Sequence, residues 1–429
     1  MTVVPAALDA IILADDPLAS VRIAGLTARE RASRSAKKAG ATRVLVLDGK
    51  RDEVTTWRNG STAPLLVIRA DQLVHTPLVS PLVDAMPSGD DVVIAVGPDG
   101  AYAGAYLAAG AAAQHAIAAI AKGENAAAFV GAADATRVPH GAIARHAIAT
   151  PEDRRGAHEL LYRLMVKPQD NAISRYVFRP VARRLSKLLV HTPITPNMLT
   201  MVVAGMIAVA CVLTATADMR LVIIGALIQA STGYIDCCDG EIARLKLMSS
   251  KFGAWLDTIV DEASTIAYMA AIGWHCHLVW GHPGLDVWTG LILVGLVTYP
   301  WSVYCIYYNI IVGVGSANSQ DYAGKFEIVP VGDDAVRIVP VPLKAVVRAK
   351  PLPPVIKQIV EFSPNFVRRD FIVWATLGLA LLHLTKVSFF IHVGGGAVGA
   401  LICTKDHIHL RGLRRSVARS GKRLLPPPA

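Results

Sequence analysis

The sequence predicts a bundle of about six transmembrane helices preceded by a soluble α/β domain, on three observations. The 429 residues are 53% apolar but only 6% aromatic, and the apolar residues are unevenly placed. Residues 1–170 alternate charged and apolar stretches as a soluble domain does. From about Asn197 onward, charge-free windows appear (Asn197–Ala217, Leu221–Ile235 and Val287–Gln320), near the roughly 20 apolar residues that a spanning helix needs. Third, four carboxylates, Asp236, Asp239, Asp257 and Asp261, fall in or beside these apolar stretches. There an ionised group costs several kcal/mol unless it faces the bundle interior and has a partner.

In chain order, the first twenty residues lack a basic n-region and acquire acids by Asp15, so no signal peptide is expected there. DAIILADD (9–16) and ATRVLVLDG (41–49) read as buried parallel strands, with GLTARERASRSAKKAG (25–40) as the helix between them. PLLVIRADQLV (64–74) and DDVVIAVGPDG (90–100) read as further strands, and the alternation predicts a doubly wound domain over 1–150. The Ala-rich stretch 101–129 has helix composition. A linker occupies 151–195; within it, 167–189 has apolar residues at helical spacing and a basic face, as an amphipathic helix lying on a membrane would.

The membrane domain is expected over 196–410, with spans at 198–217, 221–244, 254–276, 287–312, 370–386 and 388–404, the last two divided near Lys386, followed by a basic tail over 411–429. Basic residues crowd before the first span (Arg175, Arg179, Arg183, Arg184, Lys187), after the second (Arg244, Lys246, Lys251), before the fifth (Lys344, Arg348, Lys350, Lys357, Arg368, Arg369) and after the last (Arg411, Arg414, Arg415, Arg419, Lys422, Arg423). The excess of Lys and Arg on alternate loops predicts cytoplasmic termini, which an even number of spans satisfies. It also explains the net charge of +10 as contact with anionic lipid. No stretch interleaves bases with stacking aromatics, so no nucleic-acid partner is expected. The six cysteines lie in or beside apolar segments and read as reduced core residues.

The four aspartates carry the chemistry. Their i, i+3 and i, i+4 spacings make two pairs, each on one helical face, and oxygen ligands in such number suit Mg²⁺, Mn²⁺ or Ca²⁺. The full pattern is Asp-x2-Asp-Gly-x2-Ala-Arg-x8-Gly-x3-Asp-x3-Asp, on Asp236, Asp239, Gly240, Ala243, Arg244, Gly253, Asp257 and Asp261. It resembles, in every fixed position, the signature of the CDP-alcohol phosphotransferases. Eight fixed positions recur by chance on the order of once in 10⁹ placements.

That resemblance implies transfer of the substituted phosphate of a CDP-alcohol, CDP-diacylglycerol or a CDP-polyol, to an acceptor hydroxyl with release of CMP. It implies two divalent ions, Mg²⁺ or Mn²⁺, on Asp236, Asp239 and Asp257, with Asp261 as general base and a sharer in ligation. The donor would lie along the small residues Gly240, Ala243 and Gly253, with Arg244 clamping its diphosphate. HTPITPNMLT (191–200) resembles the Thr-Pro-Asn-x-x-Thr opening of the first span in these enzymes; Pro196 suits a helix start, Thr195 or Asn197 could cap it, and Asn197 is a candidate nucleotide contact. Arg368 and Arg369, at the mouth of the fifth span, are candidate ligands for a phosphorylated acceptor, an inositol phosphate above all. An integral membrane homodimer with its active site at the cytoplasmic face is the expected whole.

The N-terminal strand order resembles a nucleotidyltransferase domain, which in the inositol-phosphate cytidylyltransferase/di-inositol-phosphate-phosphate synthase enzymes is fused at this place. Those domains cradle a triphosphate in a Gly-rich, Arg-containing loop after the first strand. Here ADDPLASVRIAG (14–25) puts Asp15 and Asp16 there, and only Asp71 stands where a metal aspartate would be, so a non-catalytic domain is expected. The alternatives are a bifunctional enzyme or, in another class, a polytopic transporter whose intramembrane acids mark an ion path.

Overall fold

The computed structural model describes residues 7–87, 89–132, 134–165, 173–316, 321–342, 353, 356–358 and 368–427. The opening of the expected amphipathic helix (167–172), the bases Lys344, Arg348 and Lys350, and the window's end at 317–320 lie outside the described residues. The chain forms two compact units. One takes Met1–Asp170, Val181–Pro196 and Cys238–Ser250; the other takes Asn171–Pro180, Asn197–Cys237 and Lys251–Ala429.

The first unit is built on a six-stranded sheet: β1 (Asp9–Leu13), β2 (Arg43–Leu47), β3 (Leu65–Arg69), β4 (Val92–Val96), β5 (Tyr102–Ala108) and β6 (Ala135–Pro139), in the order β2-β1-β3-β5-β4-β6. β1 pairs in parallel with both β2 and β3. Ala10, Ile11 and Ile12 are fully buried, as a central strand covered on both faces must be. Helix α1 (Ala28–Lys38) links β1 to β2 and starts on a capping box between Thr27 and Glu30, which satisfies two of its first free N–H groups.

The helical expectation for 101–129 holds only from Gly110. Tyr102–Ala108 is instead a strand, antiparallel to both β3 and β4. Its side chains alternate: Ala103, Ala105 and Leu107 enter one core, Tyr106 and Ala108 the other. Alanine's helix preference is under about 1 kcal/mol per residue, and two full ladders of backbone hydrogen bonds with burial on both faces outweigh it. The helix proper, Gly110–Lys122, ends on Gly123 in the left-handed region (φ 83°), a conformation glycine adopts without penalty.

The second unit holds helices where the spans were expected: α2 (Pro196–Thr214), α3 (Met219–Leu245, whose last turns belong to the first unit), α4 (Lys251–Trp280), α5 (Val287–Asn309), α6 (Arg369–Leu381) and α7 (Thr385–Arg419). Among the described residues, four helical stretches, Pro196–Thr214, Met219–Leu245, Val287–Val314 and Thr385–Arg419, are long and apolar enough to cross a membrane. Its core gathers Tyr268, Met269, Ile272, Trp288, Ile292, Phe389 and Val393. A Cβ on Gly273 would stand 2.5 Å from Ile292 and 2.6 Å from Phe389, so close packing requires glycine there. Large apolar side chains such as Val212, Val297 and Leu401 point outward and are exposed, the inversion expected of a surface facing lipid.

Two boundaries differ from expectation. The fifth and sixth segments part at 382–384, where His383 adopts φ 59°, not at Lys386. The ammonium of Lys386 lies 4.1 Å from the Trp280 ring centroid, so an aromatic face accommodates its charge within the first turn of α7. That helix runs to Arg419, taking in half of the expected basic tail; cations suit a helix C-terminus. A small sheet, Phe326–Pro330 against Ala335–Pro340 with Arg423–Leu425 on its edge, was not anticipated.

Candidate metal centre

Asp236 lies on α3; Asp257 and Asp261 stand one turn apart on α4. One carboxylate oxygen from each falls in a group whose members all lie within 4.8 Å of one another, and all three residues are half-buried. Carboxylates converging so closely repel unless cations lie among them. One such cation is in place: Arg369, first residue of α6, forms an ion pair with Asp261 and approaches Asp236 at 3.9 Å. Three hard oxygen donors facing a common space, with the Arg369 guanidinium beside them, fit a divalent cation of the Mg²⁺, Mn²⁺ or Ca²⁺ kind.

Asp239, one turn beyond Asp236 on the same helix, is buried at 8% exposure and is not in the three-carboxylate group. Gly240, Ala243 and Gly253 are half-buried, as is Asn197. The helix of the first span begins at Pro196; Thr195 therefore precedes its first residue, and Asn197 lies inside its first turn. Arg244 donates from Nε to the Leu164 carbonyl at 2.8 Å and from Nη2 to that of Met165 at 3.3 Å. Two of its five donors thus hold a backbone segment. Arg368 is the residue before α6 and is half-buried.

Sequence reasoning missed two features here. Arg369, read as a cation for an acceptor, also pairs with Asp261 and stands near Asp236; a base at a helix start across from an acidic helix pair was the available signal. Glu262, next to Asp261, accepts a hydrogen bond from the Tyr299 hydroxyl at 3.3 Å, a pairing that only the α4–α5 packing creates.

In the first unit, both acids that replace the Gly-rich loop are engaged locally. Asp15 accepts from the Gly49 N–H (2.8 Å) and pairs with Arg51 (2.6 Å), and Asp16 caps the short turn Pro17–Ser20 through the Leu18 N–H. Asp71 forms an ion pair with Arg69.

Residues 193–341 match the family model of the CDP-alcohol phosphatidyltransferases. The chain is 34% identical over 134 residues to the bifunctional IPC transferase and DIPP synthase of Aquifex aeolicus, 31% of this chain and 30% of that protein. The protein of the same description from Thermococcus kodakarensis is 34% identical over 128 residues, covering 30% and 28% of the two chains. The phosphatidylinositol phosphate synthase of Corynebacterium glutamicum is 34% identical over 102 residues, 24% of this chain and 43% of that one. The matched stretch therefore spans less than half of any of these relatives. The stretch that resembles the family model, 193–341, includes every residue of the aspartate motif, and the apolar helices described above place that motif in an integral membrane protein.

Proposed function

We propose that the chain, which carries a CDP-alcohol phosphatidyltransferase domain over 193–341, moves the substituted phosphate of a CDP-alcohol to the hydroxyl of a polar acceptor and releases CMP. The observation that carries this reading is the convergence of Asp236, Asp257 and Asp261 from two helices onto one small space. Asp236, Asp239 and Asp257 would hold the divalent ions, with Asp261 sharing in ligation. Bound there, Mg²⁺ or Mn²⁺ would draw charge from the phosphoryl oxygens and from the departing phosphate.

The chain's own residues supply the rest. A carboxylate of Asp261 takes the proton of the acceptor hydroxyl as its oxygen attacks; the new O–P bond forms in line with the breaking P–O bond, and CMP leaves with the electron pair. Arg369, bound to Asp261 and beside Asp236, holds the base in place and offers donors to an anionic acceptor; Arg368 is its neighbour in that role. Gly240, Ala243 and Gly253 would admit a flat base, Arg244 is the candidate clamp for the diphosphate, and Asn197 is the candidate nucleotide contact. An inositol phosphate is the leading acceptor, supported by the resemblance to the di-inositol-phosphate-phosphate synthases and by the likeness to the phosphatidylinositol phosphate synthase of Corynebacterium glutamicum. The donor is CDP-diacylglycerol or a CDP-polyol.

The architecture proposed for this activity has six spans, α4 and α6 joining the four helices that meet the length and apolarity requirement, in a homodimer. Both termini and the site would be cytoplasmic, on the side with the excess of Lys and Arg. Helix Arg179–Leu189 exposes Val181 and Leu188 among Arg183, Arg184 and Lys187, as an element lying on that membrane face would. The domain boundaries follow as 1–150 (non-catalytic), 151–195, 196–410 and 411–429. CMP release by the purified protein, with CDP-diacylglycerol or CDP-inositol offered against inositol phosphate, glycerol phosphate and serine, tests the reading. Wild-type CMP release by Asp239→Asn would sink it.

A further inference from the structure

The end of α3 is held by an unusual arrangement of cations. A helix leaves its last four carbonyls without partners inside the helix. Here the chain beyond α3 satisfies three of them: Ile242 accepts from Lys246 N (2.8 Å), Ala243 from Met248 N (2.8 Å) and Arg244 from Leu247 N (3.3 Å). The next two carbonyls outward, of Leu245 and Lys246, go to guanidiniums of α1. Arg31 Nη1 donates to Leu245 O at 2.8 Å, and Arg34 Nη1 to Lys246 O at 2.8 Å. The other arm of Arg31, Nη2, donates to the carbonyls of Ile23 (3.0 Å) and Ala24 (3.4 Å). Lys246 itself reaches the carbonyls of Thr192 (2.6 Å) and Ile194 (3.0 Å).

Arg31 is completely buried, and no carboxylate pairs with it among the described residues. A buried arginine is costly without compensation; this one has only carbonyls and the negative end of the α3 dipole. Burial, with Arg34 adding, pushes its pKa down to about 9. The fit around it leaves no slack: Gly25, at φ 80°, would place a Cβ 2.0 Å from the Val190 carbonyl oxygen and 3.4 Å from Lys246 Cε.

We propose that Arg31, backed by Arg34, is a positioning residue for the metal-binding helix: a guanidinium clamp from the N-terminal sheet domain that fixes the α3 end, and with it the orientation of Asp239, which lies in the same unit. A guanidinium is suited to this, since its rigid fork bridges two backbone segments where an ammonium would hold one point. Asp239 lies 6 residues before Leu245, so rotation or fraying of the last turn reaches it through fewer than two helical turns. The sheet domain would then act in the reaction without a reactive group of its own. This inference rests on the phosphotransferase reading.

The test uses the full-length protein in detergent, as wild type, Arg31→Lys, Arg31→Met and Arg34→Met. Hydrogen exchange at the Lys246 and Met248 amides reads the clamp, Mn²⁺ affinity by electron paramagnetic resonance reads the carboxylates, and CMP release reads kcat apart from KM. Arg31→Met is expected to raise exchange at both amides, weaken Mn²⁺ binding about tenfold, as loss of outer supporting partners does, and lower kcat more than it raises the donor KM. Arg31→Lys should recover part of each, and Arg34→Met should show a smaller change in the same direction if Arg31→Met does not fold. Unchanged exchange in Arg31→Met and Arg34→Met overturns the clamp. Raised exchange with Mn²⁺ affinity and kcat per folded molecule unchanged overturns the positioning role and leaves Arg31 a stability residue. Absence of Mn²⁺ binding in the wild type overturns the site reading and the positioning role with it, while the exchange arm still reports on the clamp alone.

Discussion

Replacing Arg369 with methionine should tighten divalent-metal binding while it damages acceptor use. Methionine keeps an unbranched apolar stem like that of arginine and lacks the guanidinium, so the change is chiefly one of charge and hydrogen bonding. Arg369 pairs with Asp261 and stands 3.9 Å from the nearest Asp236 oxygen. Two unit charges at about that separation interact by roughly 4 kcal/mol at an effective dielectric of about 20. The arginine side chain is 25% exposed and the two carboxylates 31% and 32%, so solvent screening and side-chain ordering leave a net of about 1–2 kcal/mol, between an exposed pair and a buried one. A divalent ion drawing on the same oxygens competes with that interaction. Its removal should lower the Mn²⁺ dissociation constant by about 5- to 30-fold, at about 1.4 kcal/mol per decade. The acceptor KM should rise, because the cation best placed for an anionic substrate is gone. Mn²⁺ titration by electron paramagnetic resonance at pH 8, with acceptor-dependent CMP release on the same preparation, measures both. Unchanged or weaker Mn²⁺ affinity would refute the competition; an unchanged acceptor KM would refute the substrate role and leave Arg369 as a counter-charge.

Three further outcomes follow from the same residues. Asp257→Asn should weaken Mn²⁺ binding and abolish turnover, whereas Asp261→Asn should keep metal and CDP-alcohol binding better than it keeps turnover; equal losses in all three quantities would remove the base assignment. The full-length protein with CTP, Mg²⁺ and a polyol phosphate should release no pyrophosphate, since Asp15 and Asp16 occupy the loop that a triphosphate would need and are bonded to Gly49, Arg51 and Leu18; catalytic release would make the protein bifunctional. Unfolding of the sheet domain should become easier as pH falls from about 6.5 toward 4. His75 is buried, neither ring nitrogen has a hydrogen-bond partner among the described residues, and burial, with Arg31 and Lys38 adding, pushes its pKa down from 6.5 to about 4. The unfolded chain thus binds the extra proton across that window, so stability is lost as pH drops, by up to about 3 kcal/mol. His75→Phe should flatten this slope in urea titrations, and an unchanged slope would assign the acid sensitivity elsewhere.

The parts of this protein legible in its sequence are those set by local pattern and by solvent. Spanning helices announce themselves by length and apolarity, because no polar backbone is tolerated in lipid outside a hydrogen-bonded helix. The aspartate motif is legible for the converse reason: carboxylates in such surroundings need a compensating cation, and their 3- and 4-residue spacings point them to one face. The parallel strands β1 to β3 could be read from runs buried on both sides. What the tertiary structure alone decided depends on partners distant in sequence. Tyr102–Ala108 became a strand because β3 and β4 left a gap between them whose ladders outweigh alanine's helix preference. Arg369 came to rest on Asp261, 108 residues away, because α6 starts where α3 and α4 converge. Arg31, on an ordinary-looking amphipathic helix, was drawn inside by carbonyls at the end of α3, 214 residues on. A local pattern records which groups must leave water; it does not record which distant group will meet them there.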